Sequence, residues 1–133
     1  MIALDTHALV WWVAEPSRIP AKARRSIDAA VKQGQMLTVS SISLWEVAML
    51  AQRGRIAFTV DADTWLHNVQ ALPMLAFQPV DNAVAVRAVR LPGFAHRDPA
   101  DRMIVATAIG LNATLVTADS RLRAYKAITT LWD

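Results

Sequence analysis

The sequence has no cysteine, which removes disulfide scaffolds, thiolate metal sites, cysteine nucleophiles and dithiol chemistry, and gives no sign of an oxidising compartment. Glycine is scarce too: the four present, at positions 34, 54, 93 and 110, make no phosphate-cradling loop and no dinucleotide fingerprint. The three histidines, His7, His67 and His96, have no spacing that sets two on one helical face, which argues against zinc and leaves His67 as an ordinary surface or boundary residue. Although 54% of residues are apolar, no apolar run reaches the roughly 18 to 20 residues of a membrane span, and the amino end lacks a basic region followed by a cleavable apolar segment. A soluble, cytoplasmic protein is the expectation.

What is present points to one domain. The 133 residues suffice to bury about two thirds of the unfolded surface, and no repeat, linker or low-complexity segment divides the span 1–133. Eleven arginines and three lysines give a net charge of +3, a mild excess that suits a polyanion without arguing for one. Met1 to Leu4 is apolar at every position, as in a strand buried on both faces of a parallel sheet, and it stops on Asp5. An apolar helix follows, closed before Pro16. Pro20 opens an amphipathic helix that Gly34 ends, with Ala23, Ile27, Ala30 and Val31 on its inner face. Met36 to Val39 reads as a second strand, and Ser40 or Ser41 caps a helix running to about Arg53. Asp61 and Asp81 cap two further helices around a third strand, Met74 to Gln78. A loop from Leu91 to Arg97 delivers the chain to the helix opened by Asp98-Pro99 and running toward Gly110. A fourth strand spans Ala113 to Thr117 and a short fifth Ile128 to Leu131. Strands alternating with helices in this way predict an α/β fold, a parallel sheet covered on both faces.

Five acids stand out against this frame, each with a plain alternative. Asp5 and Asp119 end strands, where ligands bind in open α/β sheets, yet either can simply cap the next helix. Glu46 is the one charge in an otherwise apolar helix from Ser40 to Ala51; it either faces a crevice or shares a solvent stripe with Ser43, and so apolar a helix is expected to be mostly buried. Asp98, followed by Pro99, reads first as an N-cap. Asp101 sits where an acid can close a capping box, but the Ile104, Val105, Ala108 and Ile109 stripe behind it must face the sheet. The order of elements brings Asp5, Glu46, Asp101 and Asp119 to one edge of that sheet. Gathered carboxylates repel unless a proton or cation compensates, and oxygen-only ligands suit Mg²⁺, with Mn²⁺ as substitute. Arg97, Arg102 and Arg121 lie near the mouth of that crevice and are candidates for flanking phosphates. Trp11 and Trp12 are adjacent on a helix, about 100° apart, so a single core is not expected to hold both, and surplus tryptophan suggests an interface.

Four stretches in order resemble the PIN-domain nucleases, and among them the VapC-like toxins of bacterial toxin and antitoxin systems: Leu4-Asp5-Thr6-His7-Ala8-Leu9 with Trp11-Trp12; Ser40 through Trp45-Glu46 to Gly54-Arg55-Ile56; His96-Arg97-Asp98-Pro99 with Asp101-Arg102 and Ala106-Thr107-Ala108; and Leu115 to Asp119. The resemblance implies a single PIN-like domain with a five-stranded parallel sheet, the first strand central. It implies catalytic, metal-binding acids at Asp5, Glu46, Asp101 and Asp119, with Asp98 an auxiliary metal neighbour. It implies Mg²⁺-dependent hydrolysis of RNA, a structured one such as a transfer RNA, by one or two ions. As partners it implies a homodimer and a cognate antitoxin protein, laid in a groove between the early helices with a basic side chain near the acids. Two rival classes fit part of this pattern, a receiver-like phosphoacceptor regulator and a catalytically silent module of the same fold. The first needs a lysine after a later strand, and Lys22, Lys32 and Lys126 do not supply one.

Overall fold

The computed structural model describes all residues, 1–133. Five parallel strands, β1 (Ile2–Leu4), β2 (Leu37–Ser40), β3 (Leu75–Gln78), β4 (Thr114–Val116) and β5 (Thr129–Leu131), form one sheet in the order β3-β2-β1-β4-β5. The first strand is central because it pairs with β2 on one side and β4 on the other, Ala3 standing opposite both Thr38 and Leu115. Residue alternation along the strands then separates two cores. Leu4, Leu37, Val39 and Val116 join helices α1 (Thr6–Ala14), α2 (Ala21–Lys32), α3 (Ile42–Gln52) and α4 (Ala62–Gln70) on one face. Ala3 and Leu115 join α6 (Pro99–Leu111) and α7 (Ser120–Ala124) on the other, where α5 (Asn82–Val89) packs on α6 through Val84, Ala88 and Ala106. No helix is long and apolar enough to cross a membrane.

Aspartates start most of the helices. Asp5, Asp61, Asp81 and Asp98 each accept a bond from the backbone N–H three residues on, at 2.8 to 3.0 Å, and Asp119 from that of Arg121 at 2.8 Å. Such a bond satisfies a donor that the first turn leaves without a partner. Helix α6 does not stop at Gly110. It runs one residue further and ends on Asn112 in the left-handed conformation, φ 50°, a geometry asparagine tolerates well. Gly110 has another reason to lack a side chain: a Cβ there would lie 2.6 Å from the Arg87 guanidinium, which reaches across from α5.

Two packing expectations are corrected. Helix α3 is apolar almost all round, yet only Ser43 and Val47 are buried in it, while Trp45 is 57% exposed. One i, i+4 stripe is fully buried, Ile42 and Leu44 pack half-buried against the two cores, and Trp45 is left without cover. Trp11 and Trp12, by contrast, both pack half-buried at the rim of the same core. Trp11 lies against Trp132 from the carboxyl end, ring centres 5.7 Å apart, with the Arg18 guanidinium 4.5 Å over its ring. The tryptophan that the core leaves out is Trp45.

Candidate active site

A cavity of about 680 Å³ opens beyond the carboxyl ends of β1 and β4, and Asp5, Glu46, Asp98, Asp101 and Asp119 all line it. This is where the strand order reverses, with β2 and β3 on one side of β1 and the later strands on the other, the place such sheets keep for ligands. All five acids singled out in the sequence are therefore brought together, and cap and crevice prove compatible duties. Asp5 is the joint of the arrangement. Its backbone N–H continues the ladder to Val116 at 3.2 Å, its carbonyl accepts the first helical bond from Leu9 at 2.9 Å, and its Oδ1 caps Ala8.

Burial at this joint sets the electrostatics. Desolvation pushes the Asp5 carboxyl up to about 6 from 3.8, against the opposing pull of the Thr117 hydroxyl and the Ala8 N–H. Burial also raises Glu46, and the charges of Asp101 and Asp98 add to it. Asp101 is raised by burial and by Asp98 and Asp119, while His96 pulls it back. Asp119 goes down instead, because Arg121 grips it with Nη2 to Oδ2 at 2.9 Å. Glu46 does not share a solvent stripe with Ser43. Ser43 is fully buried and accepts a 2.9 Å bond from the Thr6 hydroxyl, fixing α3 to the start of α1 and turning Glu46 toward the crevice.

The basic candidates separate. Arg121 lines the cavity, but Arg97 is exposed and does not. Arg102 is withdrawn from a phosphate-binding role: its guanidinium donates to the carbonyls of Ala88, Phe94, His96 and Val89 at 2.7 to 3.1 Å, which uses four of its five N–H donors. Arg53 and Arg55, past the end of α3, line the cavity without an acidic partner. Neither was among the arginines expected at the mouth, although the position of Arg55 directly after the helix-ending Gly54 was a usable signal.

Sequence alone offers no partner for His96, whose ring Nε2 lies 2.6 Å from Asp101 Oδ2. His96, Asp101 and Asp119 present ligand atoms that all lie within 4.8 Å of one another. Asp5, Glu46 and Asp98 face the same cavity around this closer group. The donor set fits a hard divalent cation: carboxylate oxygens predominate, three of the acids are held above their ordinary range, and the only ion-paired arginine in the cavity is spent on Asp119.

Comparison with known proteins agrees with this architecture. The PIN domain model matches residues 2–128. The chain is 38% identical over 125 residues to Ribonuclease VapC22 of Mycobacterium tuberculosis (strain ATCC 25618 / H37Rv), covering 94% of this chain and 92% of that protein. Its fold is similar to that of VapBC2 from Rickettsia felis bound to a promoter DNA fragment, with a TM-score of 0.73 at 19% identity and full coverage of both chains. It is likewise similar to DNA-bound VapBC from Salmonella typhimurium, with a TM-score of 0.71 at 18% identity over 98% and 96% of the two chains. The chain belongs to the PIN domain family.

Proposed function

We propose that this protein is a divalent-cation-dependent endoribonuclease, the toxin of a toxin and antitoxin pair, which cuts a structured RNA such as a transfer RNA. The observation that carries the reading is the convergence of five acids on one cavity, of which only Asp119 is paired with an arginine. Asp5, Glu46, Asp101 and Asp119 would hold Mg²⁺, or Mn²⁺ in its place, and Asp98 adds charge beside them. The bound cation supplies Lewis-acid polarisation of the scissile phosphate and lowers the pKa of an attacking water. The chain supplies position. Asp5 and Asp119 are fixed by their own capping bonds, Glu46 by the Thr6 to Ser43 bond, and Asp101 by His96. Arg53 and Arg55 at the rim bind phosphates flanking the cut, so that the strand lies across the acids despite their charge. Hydrolysis breaks one phosphodiester P–O bond and places the water oxygen on phosphorus. An RNA loop suits this open site, since its bases are already unstacked.

The similarity to Ribonuclease VapC22 and to VapBC complexes supports the ribonuclease and antitoxin parts of the reading. A receiver-like regulator is disfavoured because none of the lysines reaches the cavity. The test is cleavage of an RNA panel with Mg²⁺, Mn²⁺ or chelator. Asp5→Asn keeps the shape and the cap but removes the charge, and should lower the rate at least about 100-fold, near the scale of a lost transition-state electrostatic contact. Cleavage by Asp5→Asn at the parent rate, with contaminating nuclease excluded, would overturn the assignment.

A further inference from the structure

We infer that His96 is a positioning residue for Asp101, and that Arg102 holds it in place. The inference rests on the metal-site reading above. Residues 101 and 102 are neighbours on the first turn of α6, and both reach back to the loop that precedes it. Arg102 takes the loop backbone: Nη1 donates to the carbonyls of Phe94 and His96 at 2.9 and 2.8 Å, while Nε and Nη2 hold Ala88 and Val89 at the end of α5. Its guanidinium also lies 5.5 Å over the Phe94 ring, whose edge meets the His96 imidazole with centres 5.8 Å apart. The imidazole is thereby fixed on two sides and delivers Nε2 to Asp101 Oδ2 at 2.6 Å, with only 11% of the His96 side chain exposed.

The chemistry follows from which atom is engaged. Against an ionised carboxylate the ring nitrogen must be the donor, so Nε2 carries the proton and is closed to a cation while the bond stands. His96 therefore occupies one oxygen of Asp101 and leaves Oδ1 for the cation. A carboxylate free to rotate would have to give up that freedom on binding; here the cost is met in the folded protein. Hydrogen bonds that orient metal-bound carboxylates and histidines from behind commonly change metal affinity by about 10- to 100-fold.

The test is Mn²⁺ binding to the purified protein by calorimetry, with thermal melts of the metal-free proteins alongside. His96→Ala should weaken Mn²⁺ about 10-fold with little change in the metal-free melting temperature. His96→Gln, whose amide nitrogen reaches about as far as Nε2, should restore most of the affinity. Arg102→Gln should weaken Mn²⁺ and lower the metal-free melting temperature together, because it frees the loop. Unchanged affinity in His96→Ala, or equal loss in His96→Ala and His96→Gln, overturns the inference while leaving the acid site standing. A parent protein that binds no Mn²⁺ overturns the metal-site reading and this inference with it.

Discussion

At the scale of single residues, Asp5 shows how an acid in the crevice is held at odds with stability. Its carboxyl sits near 6 in the folded chain against 3.8 for the exposed group. Between those values the folded state keeps a proton that the unfolded state has lost, so stability falls as pH rises through that window and levels off above it. Two pKa units correspond to something on the order of 3 kcal/mol. Glu46 and Asp101 are raised too and act in the same sense, whereas Asp119 and Asp61 are lowered and give stability that is lost only on further acidification. In chelator, the melting temperature is expected to be higher at pH 5 than at pH 7. Asp5→Asn, which keeps the cap on Ala8, should flatten that slope and exceed the parent at pH 7. Melts in which the parent gains stability from pH 5 to pH 7, and the variant follows the same curve, would count against a buried charge at this position. Asp5 was legible in the sequence because it ends an unbroken apolar run. His96 and Arg102 were not, because their partners are set by how a nine-residue loop closes, and no periodicity encodes that.

At the scale of elements, the aspartate caps divide by what lies in front of them. Asp61 and Asp81 cap α4 and α5 away from the cavity, while Asp5, Asp98 and Asp119 cap helices whose first turns face it. Asp81→Ala should cost about 1 kcal/mol by chemical denaturation and leave RNA cleavage unchanged. Asp98→Asn should do the reverse, keeping stability within roughly 0.5 kcal/mol, since asparagine caps as well as aspartate, while weakening Mn²⁺ several-fold. Loss of stability without loss of Mn²⁺ affinity in Asp98→Asn would leave it a cap alone. The strands and helices could be read ahead of the structure because these caps, together with Gly34 and Gly54 at positive φ of 76° and 69°, punctuate the chain locally. The surroundings of α3 could not. Its sequence is apolar on every face, and the expectation of burial gave the right orientation for Glu46 from a wrong premise. Trp45 projects from the face that nothing covers. Burying such a side chain removes about 150 to 250 Å² from water, a strong incentive to associate.

At the scale of the whole molecule, the sheet, the two cores and the caps converge on a site that the metal-free chain holds under repulsion. Asp101 measures that repulsion, since burial and the charges of Asp98 and Asp119 all oppose its ionisation. Asp101→Asn removes the charge and keeps an oxygen able to accept from His96, so the metal-free variant should be more stable than the parent at pH 7, by roughly 1 kcal/mol, a few degrees in melting temperature for a chain of this size. Mg²⁺ should then invert the order. A ligand that binds only the folded state adds about 2.7 kcal/mol at a hundredfold excess over its Kd, and the parent, with its full set of acids, gains this while the variant gains little. The two signs come from one arrangement of charges and have to appear together in paired melts with chelator and with millimolar Mg²⁺. Were the variant less stable in chelator and both proteins indifferent to Mg²⁺, Asp101 would be serving only to anchor His96 and its loop, and the acids around the cavity would need a different occupant.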